Sequence, residues 1–228
     1  MTVKNGLSTA QRVAKMLLEI KAVALSPKKP YKFVSGIISP IYTDNRLLMG
    51  YPLKRKEITI YMAHLIDDHN LDFEIVAGTS TAGIPPAGWL AELLNLPMIY
   101  VRGQAKDHGK GRLIEGVMKK NAKVLLIEDL ISTGKSSLEA IDNIRQEGGK
   151  IDTCLAFLDY GFKDTVKKYK QKNINLLTLT NLDELVDMAV RLKLINAKEK
   201  EMVLKWRDDP WNWASKESID EKPKKVDY

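Results

Sequence analysis

Val124-Leu125-Leu126-Ile127-Glu128-Asp129-Leu130-Ile131-Ser132-Thr133-Gly134-Lys135-Ser136-Ser137 is the stretch on which the fold turns. An aliphatic run followed directly by two acids reads as a buried strand that delivers both carboxylates at its C-terminal end. The small polar turn after it opens a helix, and in an open α/β sheet ligands bind at such a junction. The helix start offers free N–H groups and the positive end of the dipole. With the Ser132, Thr133 and Ser136 hydroxyls as added donors, the turn suits a phosphate monoester. Glu128 and Asp129, one step back, are positioned to accept from ribose hydroxyls, so the stretch describes a pocket for a sugar phosphate. Gly134-Lys135-Ser136 does not make a nucleoside-triphosphatase P-loop, because that pattern needs glycine where position 129 has aspartate.

Outward from this stretch the same rhythm recurs. EIVAG, GIPPAGWLAELL, MIYV, KVLLIED, SSLEAIDNIRQEGG, KIDTCLAFLDY, FKDTVKKYKQ and INLLTLT follow one another between Glu74 and Thr180. Short apolar strands alternating with helices predict an α/β fold, a parallel twisted sheet flanked by helices. Upstream, Ser8 with Gln11 forms a capping box, and Ala10, Val13, Ala14, Leu17 and Leu18 recur at helical spacing behind it. YKFVSGIISPIY (Tyr31 to Tyr42) predicts two short strands or a hairpin outside the main core, and Pro52 opens a helix to about Asn70 with Ile58, Met62, Leu65 and Ile66 inward. Downstream, Gly148 and Gly149 stop a helix, and Asn181 with Glu184 caps a last helical stretch. These boundaries make one domain over 1–213: a small N-terminal hood over roughly 1–50, a core over roughly 51–195, and a C-terminal helix to 213. Residues 214–228 read as a charged, frayed tail.

Composition narrows the function classes. With 228 residues, 44% hydrophobic and 29% charged, the chain can bury a sizeable core and is not intrinsically disordered. No apolar run reaches the roughly 18 residues of a membrane span, and MTVKNGLSTAQRVAK lacks the apolar stretch of a secretory signal, so a cytoplasmic protein without membrane association is expected. The lone Cys154 cannot form an internal disulfide and reads as a small core residue; three histidines with it lack zinc-site spacing. His64 and His69 read as surface or satisfied histidines. A net charge of +7 favours an acidic partner: nucleic acid, an anionic membrane or a phosphorylated small molecule. No basic strip interleaved with stacking rings supports nucleic acid; Trp206, Trp211 and Trp213 crowd the C-terminus, where they would anchor it.

Arg102 to Gly116 carries Arg102, Lys106, His108, Lys110 and Arg112 among Gly103, Gly109 and Gly111, with hardly an apolar residue to pin it down. A loop that cannot pack can move, and its cations could close over a pyrophosphate, exclude water and neutralise the leaving group. Gly78-Thr79-Ser80-Thr81-Ala82-Gly83 is a second strand-to-helix turn, made of small residues that permit close approach to an anion.

The Glu128 to Ser136 segment resembles the phosphoribosyl pyrophosphate (PRPP) motif of type I phosphoribosyltransferases. Three further blocks narrow the likeness to the orotate phosphoribosyltransferase family: SGIISPIYTDNR (Ser35 to Arg46), AGTSTAGIPPA (Ala77 to Ala87) and YVRGQAKDHGKGRLIEG (Tyr100 to Gly116). The resemblance runs from about Leu17 to Tyr160. It implies transfer of the ribose 5-phosphate group of PRPP to orotate, giving orotidine 5′-monophosphate and pyrophosphate in pyrimidine (UMP) biosynthesis. PRPP would be bound by Arg102, Lys106 and His108 and by Glu128, Asp129, Leu130, Ile131, Ser132, Thr133, Gly134, Lys135 and Ser136. Lys106 and Asp129 would be catalytic, and orotate would meet Ser132, Tyr42 and Thr43. The family implies Mg²⁺ held through PRPP and water rather than by protein ligands, and a homodimer in which the cationic loop enters the neighbour's active site. It also implies pyrophosphate at the 78–83 loop, sometimes with a cis peptide there. Tyr42 is either a base contact or a packing residue. Gly103 and Ala82 stand where many relatives carry lysine, and Lys135 where glycine or alanine is frequent. Lys135 either supplies a replacement charge near the 5′-phosphate or faces outward. Two other readings stay open, a phosphoribosyltransferase for another base and a PRPP-sensing regulator that binds nucleic acid. The regulator reading suffers because the first thirty residues offer a single amphipathic helix.

Overall fold

In the computed structural model, which describes residues 6–32, 37–103, 113–216 and 224–225, the capping box at Ser8 forms as expected. Ser8 Oγ accepts from the Gln11 N–H and Gln11 Oε1 from the Ser8 N–H. It opens α1 (Thr9–Glu19), whose Val13, Ala14, Leu17 and Leu18 are buried while Ala10 stays partly exposed. Four short strands follow: β1 (Val23–Leu25), β2 (Tyr31–Lys32), β3 (Ile38–Ser39) and β4 (Ile41–Thr43). They form two small antiparallel pairs, β1 with β4 and β2 with β3. Pro40, which has no N–H for a ladder, marks where the chain leaves one pair for the other. After a 3₁₀ helix (Asn45–Gly50), Pro52 takes the first position of α2 (Pro52–Asp68), which buries Ile58, Met62 and Ile66 but leaves Leu65 only partly covered.

The alternating segment becomes β5 (Ile75–Thr79), α3 (Ile84–Leu94), β6 (Met98–Val101), β7 (Ile114–Glu115), β8 (Lys123–Ile131), α4 (Lys135–Gln146), β9 (Lys150–Asp159), α5 (Lys163–Gln171) and β10 (Asn175–Asn181). They build a six-stranded sheet in the order β10-β9-β8-β5-β6-β7. The β5–β6, β5–β8 and β8–β9 pairings are parallel, as expected. β7 departs from the expectation: it pairs antiparallel with β6, returning along the edge directly after the cationic loop. Two residues are too few to read as a strand from their letters. Val124 to Glu128 of β8 are buried without a break, as a strand covered on both faces requires. On one face Val124 and Leu126 join Leu138, Ile141 and Ile144 of α4 and Tyr169 of α5 in the main hydrophobic cluster, together with Cys154, which is fully buried as its sequence context predicted.

The last helical stretch divides into α6 (Leu182–Arg191) and α7 (Ala197–Asp208). Asn181 Oδ1 accepts from the Glu184 N–H, and a full capping box at Asn196 with Glu199 starts the second helix. The tail is not wholly frayed. Trp213 is buried at the start of α8 (Trp213–Lys216), and β11 (Lys224–Lys225) pairs in parallel with β2. Trp206 and Trp213 anchor this end by burial, whereas Trp211 is 68% exposed and does not.

Chain contacts divide the molecule into two units, one of residues 1–47, 160–163 and 180–228, the other of 48–159 and 164–179. In the first, α6 packs on α1 and on α7, and the Trp206 ring meets Tyr160 and Phe162 edge-on at 5.4 and 5.2 Å between centroids. The second holds the six-stranded sheet.

Candidate active site

From β5 the chain steps through α3 to β6 on one side, then returns past β7 to place β8 on the other side of β5. The strand order therefore reverses between β5 and β8, and the carboxyl ends of these strands are where an open α/β sheet has its binding crevice. A cleft of about 280 Å³ lies there, lined by Ser80 to Ala82 after β5, by Glu128 to Leu130 near the end of β8 and by Ser132 to Ser137 after it. Ligand positions expected from two separate blocks of sequence thus meet.

Successive strand residues face opposite sides, and this separates the two acids. Glu128 is only 6% exposed and its Oε1 accepts from the Asp129 N–H at 3.1 Å. Burial, and then the neighbouring Asp129 charge, push its carboxyl well above the usual range. Asp129 stays half-buried, the more accessible of the pair. Leu130 lines the cleft, whereas Ile131 is 1% exposed in the hydrophobic cluster and is not among the residues that line it.

The turn itself is built around Gly134, which caps α4 in the left-handed region at φ +70°. A Cβ there would stand 3.0 Å from Thr165 Cγ2 and 3.0 Å from Tyr169 Cε2, so glycine is favoured on both conformational and steric grounds. A glycine N-cap has no side chain to satisfy the first N–H groups of the helix, which stay available to an anion. Lys135 takes the outward of its two expected placements: its side chain is 80% exposed and reaches Glu139 one turn along at 4.0 Å.

Across the cleft, the Ser80–Thr81 peptide is cis, as the family resemblance implied for some members, and the turn is closed by the Gly83 N–H donating to Thr79 O at 2.9 Å. Arg102 follows β6 at the stem of the cationic loop. Its N–H donates to Leu113 O at 2.8 Å and its guanidinium lies 3.5 Å from Glu115 Oε1. Lys106 and His108 lie outside the described residues. Among the described residues nothing lies within 4 Å of where a Cβ on Gly103 would be. Tyr42 and Thr43 belong to β4 in the other unit; the Tyr42 ring lies 5.6 Å from that of Tyr31, and Thr43 Oγ1 accepts from the Tyr160 hydroxyl at 2.9 Å. His64 and His69 are exposed, as expected.

Two residues that bear on the site were not singled out in the sequence. Thr165 Oγ1 donates to Ser132 O at 2.8 Å, and the Tyr169 hydroxyl lies 2.6 Å from Ser137 Oγ. Their i, i+4 spacing on an otherwise lysine-rich helix was the available signal, since Thr165 and Tyr169 are the two buried positions of α5. Among the described residues no three His, Cys, Asp or Glu side chains are grouped as a metal cage.

A family model for the phosphoribosyl transferase domain matches residues 52–187. The chain is 47% identical over 207 residues to an orotate phosphoribosyltransferase of Coxiella burnetii, covering 91% of this chain and 99% of that one. It is 44% identical over 208 residues to one of Listeria monocytogenes, covering 91% of this chain and all of its counterpart. A crystal structure of orotate phosphoribosyltransferase from Aeropyrum pernix superposes with a TM-score of 0.70 at 26% identity, over 81% of this chain and 99% of the other. Likeness on that scale, running nearly end to end through both bacterial relatives and matched by the topology of the sheet, means that this chain belongs to the orotate phosphoribosyltransferase family.

Proposed function

We propose that the protein transfers the ribose 5-phosphate group of PRPP to orotate, releasing pyrophosphate and giving orotidine 5′-monophosphate in pyrimidine biosynthesis. The observation that carries this reading is the cleft between β5 and β8, where an uncapped helix N-terminus and an acid pair share one cavity. The first N–H groups of α4 with the hydroxyls of Ser132, Thr133 and Ser136 hold the 5′-phosphate. Glu128 and Asp129 accept from the ribose hydroxyls. The 80–82 turn, opposite them, receives the pyrophosphate. Displacement at the anomeric carbon builds positive charge on the ribose ring, and Asp129, as the accessible carboxylate, is the group that meets it.

Arg102, Lys106 and His108 neutralise the departing pyrophosphate, with the loop lent by a second copy of the chain in a homodimer. Leu53, Ile60 and Leu93, exposed on α2 and α3, favour self-association. Ser132 with Tyr42 and Thr43 contacts orotate, an assignment that rests on the family pattern of their blocks. Asp129 offers the hard oxygen donor that suits magnesium-bound water, and magnesium carried on PRPP oxygens would supply Lewis-acid stabilisation of the leaving group. No helix among the described residues is long and apolar enough to cross a membrane, and we assign the protein to the cytoplasm.

The test follows the ultraviolet absorbance of orotate after PRPP and magnesium are added, with adenine, hypoxanthine and uracil as competing acceptors. PRPP-dependent loss of the orotate signal alone supports the proposal. Consumption of another base in its place, or binding of duplex DNA at moderate salt without turnover, would overturn it.

A further inference from the structure

We infer that Thr165 and Tyr169 of α5, neither of which lines the cleft, are positioning residues that hold the phosphate-binding turn in the shape its N–H groups need; the inference rests on the phosphate reading of that turn. The argument starts from peptide geometry. In a trans peptide the C=O of one residue and the N–H of the next point in opposite directions within one plane. Thr165 Oγ1 donates to Ser132 O at 2.8 Å, which draws that carbonyl toward α5. The Thr133 N–H is thereby turned to the side away from α5, where Ser132, Thr133 and Gly134 line the cleft.

A second peptide is fixed by the same logic. Ser137 Oγ donates to Gly134 O at 3.2 Å and lies 2.6 Å from the Tyr169 hydroxyl, a contact in which either oxygen can be the donor, since Tyr169 also reaches Cys154 Sγ at 4.0 Å. The Leu138 N–H donates to the same Gly134 O at 3.0 Å, so Ser137, held against Tyr169, is a second hold on the peptide plane that carries the Lys135 N–H. Both side chains also fill the space beside Gly134, where an added Cβ would come within 3.0 Å of Thr165 Cγ2 and of Tyr169 Cε2. α5 is itself tied to α4 at its far end. Lys172 Nζ meets the Asp142 carboxylate at 2.5 and 2.7 Å, and Arg145 donates to Lys172 O at 3.1 Å. The helix is therefore a brace with one end fastened to the body of α4 and the other gripping the turn before it. The Ser132 carbonyl, once it lost this grip, would be free to rotate toward the cleft, where it repels an anion.

The test compares Thr165→Val, Thr165→Ser and Tyr169→Phe with the wild type in steady-state kinetics. Inorganic phosphate serves as a competitor against PRPP, and thermal unfolding is followed on the same samples. Thr165→Val is expected to raise the KM for PRPP and the inhibition constant of phosphate roughly tenfold, with the KM for orotate within about twofold of wild type. Thr165→Ser, which keeps the hydroxyl, restores both, and Tyr169→Phe gives a smaller rise of roughly threefold or more. Wild-type constants in Thr165→Val would overturn the inference. So would equal rises for PRPP and orotate with serine no better than valine, since that pattern belongs to general destabilisation. A wild type that consumes no orotate with PRPP would remove the proposed function and this inference together, whereas an active wild type with an unaffected valine variant removes the inference alone.

Discussion

Gly134→Ala tests the construction of the turn with a single added carbon. The backbone at Gly134 sits at φ +70°, and an L side chain there costs about 1–2 kcal/mol. The new Cβ would also lie 3.0 Å from both Thr165 Cγ2 and Tyr169 Cε2, atoms of buried side chains that are themselves hydrogen-bonded, and overpacking of this kind costs about 1–3 kcal/mol. The two contributions together predict a loss of roughly 2–5 kcal/mol. Gly148→Ala separates them. Gly148 is also left-handed, at φ +87°, but its nearest neighbour is the flexible Lys120 side chain at 3.3 Å, so only the conformational cost of about 1–2 kcal/mol applies. Urea unfolding of both variants and the wild type should rank Gly134→Ala as the less stable. Because relief of the clash must shift either α5 or the turn, the KM for PRPP should rise roughly tenfold or more in Gly134→Ala alone. Equal losses in the two variants, or an unchanged KM in Gly134→Ala, would refute the claim that α5 and the turn are packed to contact.

Lys106→Ala should lower kcat by roughly 10²–10³ while leaving the unfolding midpoint unchanged, because on the proposed reading it removes a charge that meets the leaving group, and its sequence neighbourhood is polar and glycine-rich. Mixed with Asp129→Asn protein, itself inactive, it should regain part of the activity by forming hybrid dimers with one intact site; no recovery after proven subunit exchange would refute loop sharing. Glu128 gives a pH prediction. Its folded-state carboxyl titrates above its unfolded counterpart, so as pH rises past about 4.5 the unfolded chain releases its proton first and folding loses stability until the buried group also ionises. The stability of Glu128→Gln relative to wild type should therefore increase with pH across that window, and a difference independent of pH would contradict the burial argument. Cys154, fully buried with its thiol pushed up by burial, should react with a thiol reagent only on unfolding, and rapid labelling of the native protein would show otherwise.

Much of the site was legible because its parts are local. The run from Val124 to Ser137 contains a strand, its two acids, a turn and a helix start, each specified by residues within a few positions of one another, and the capping box at Ser8 is equally self-contained. The β7 strand was illegible for the opposite reason: two residues carry no period, and they become a strand only because β6 lies beside them. Burial likewise divided the neighbours that the letters treated alike. Glu128 and Asp129 stand side by side in the sequence, as do Leu130 and Ile131, yet one of each pair faces inward. Trp211 was read as an anchor with Trp206 and Trp213, and only packing set it apart.

By itself the sequence determined the α/β alternation, the phosphate turn after the acid pair, and the four blocks that mark the family. Tertiary structure decided what lies opposite that turn and what stands behind it. The 80–82 turn faces it because β5 and β8 are sheet neighbours although β6 and β7 come between them along the chain, and Thr165 and Tyr169 brace it from a helix that follows another strand. Hydrogen bonding between distant strands, and the close packing of a helix against a turn, depend on the whole sheet being assembled, so no short window of residues can contain them.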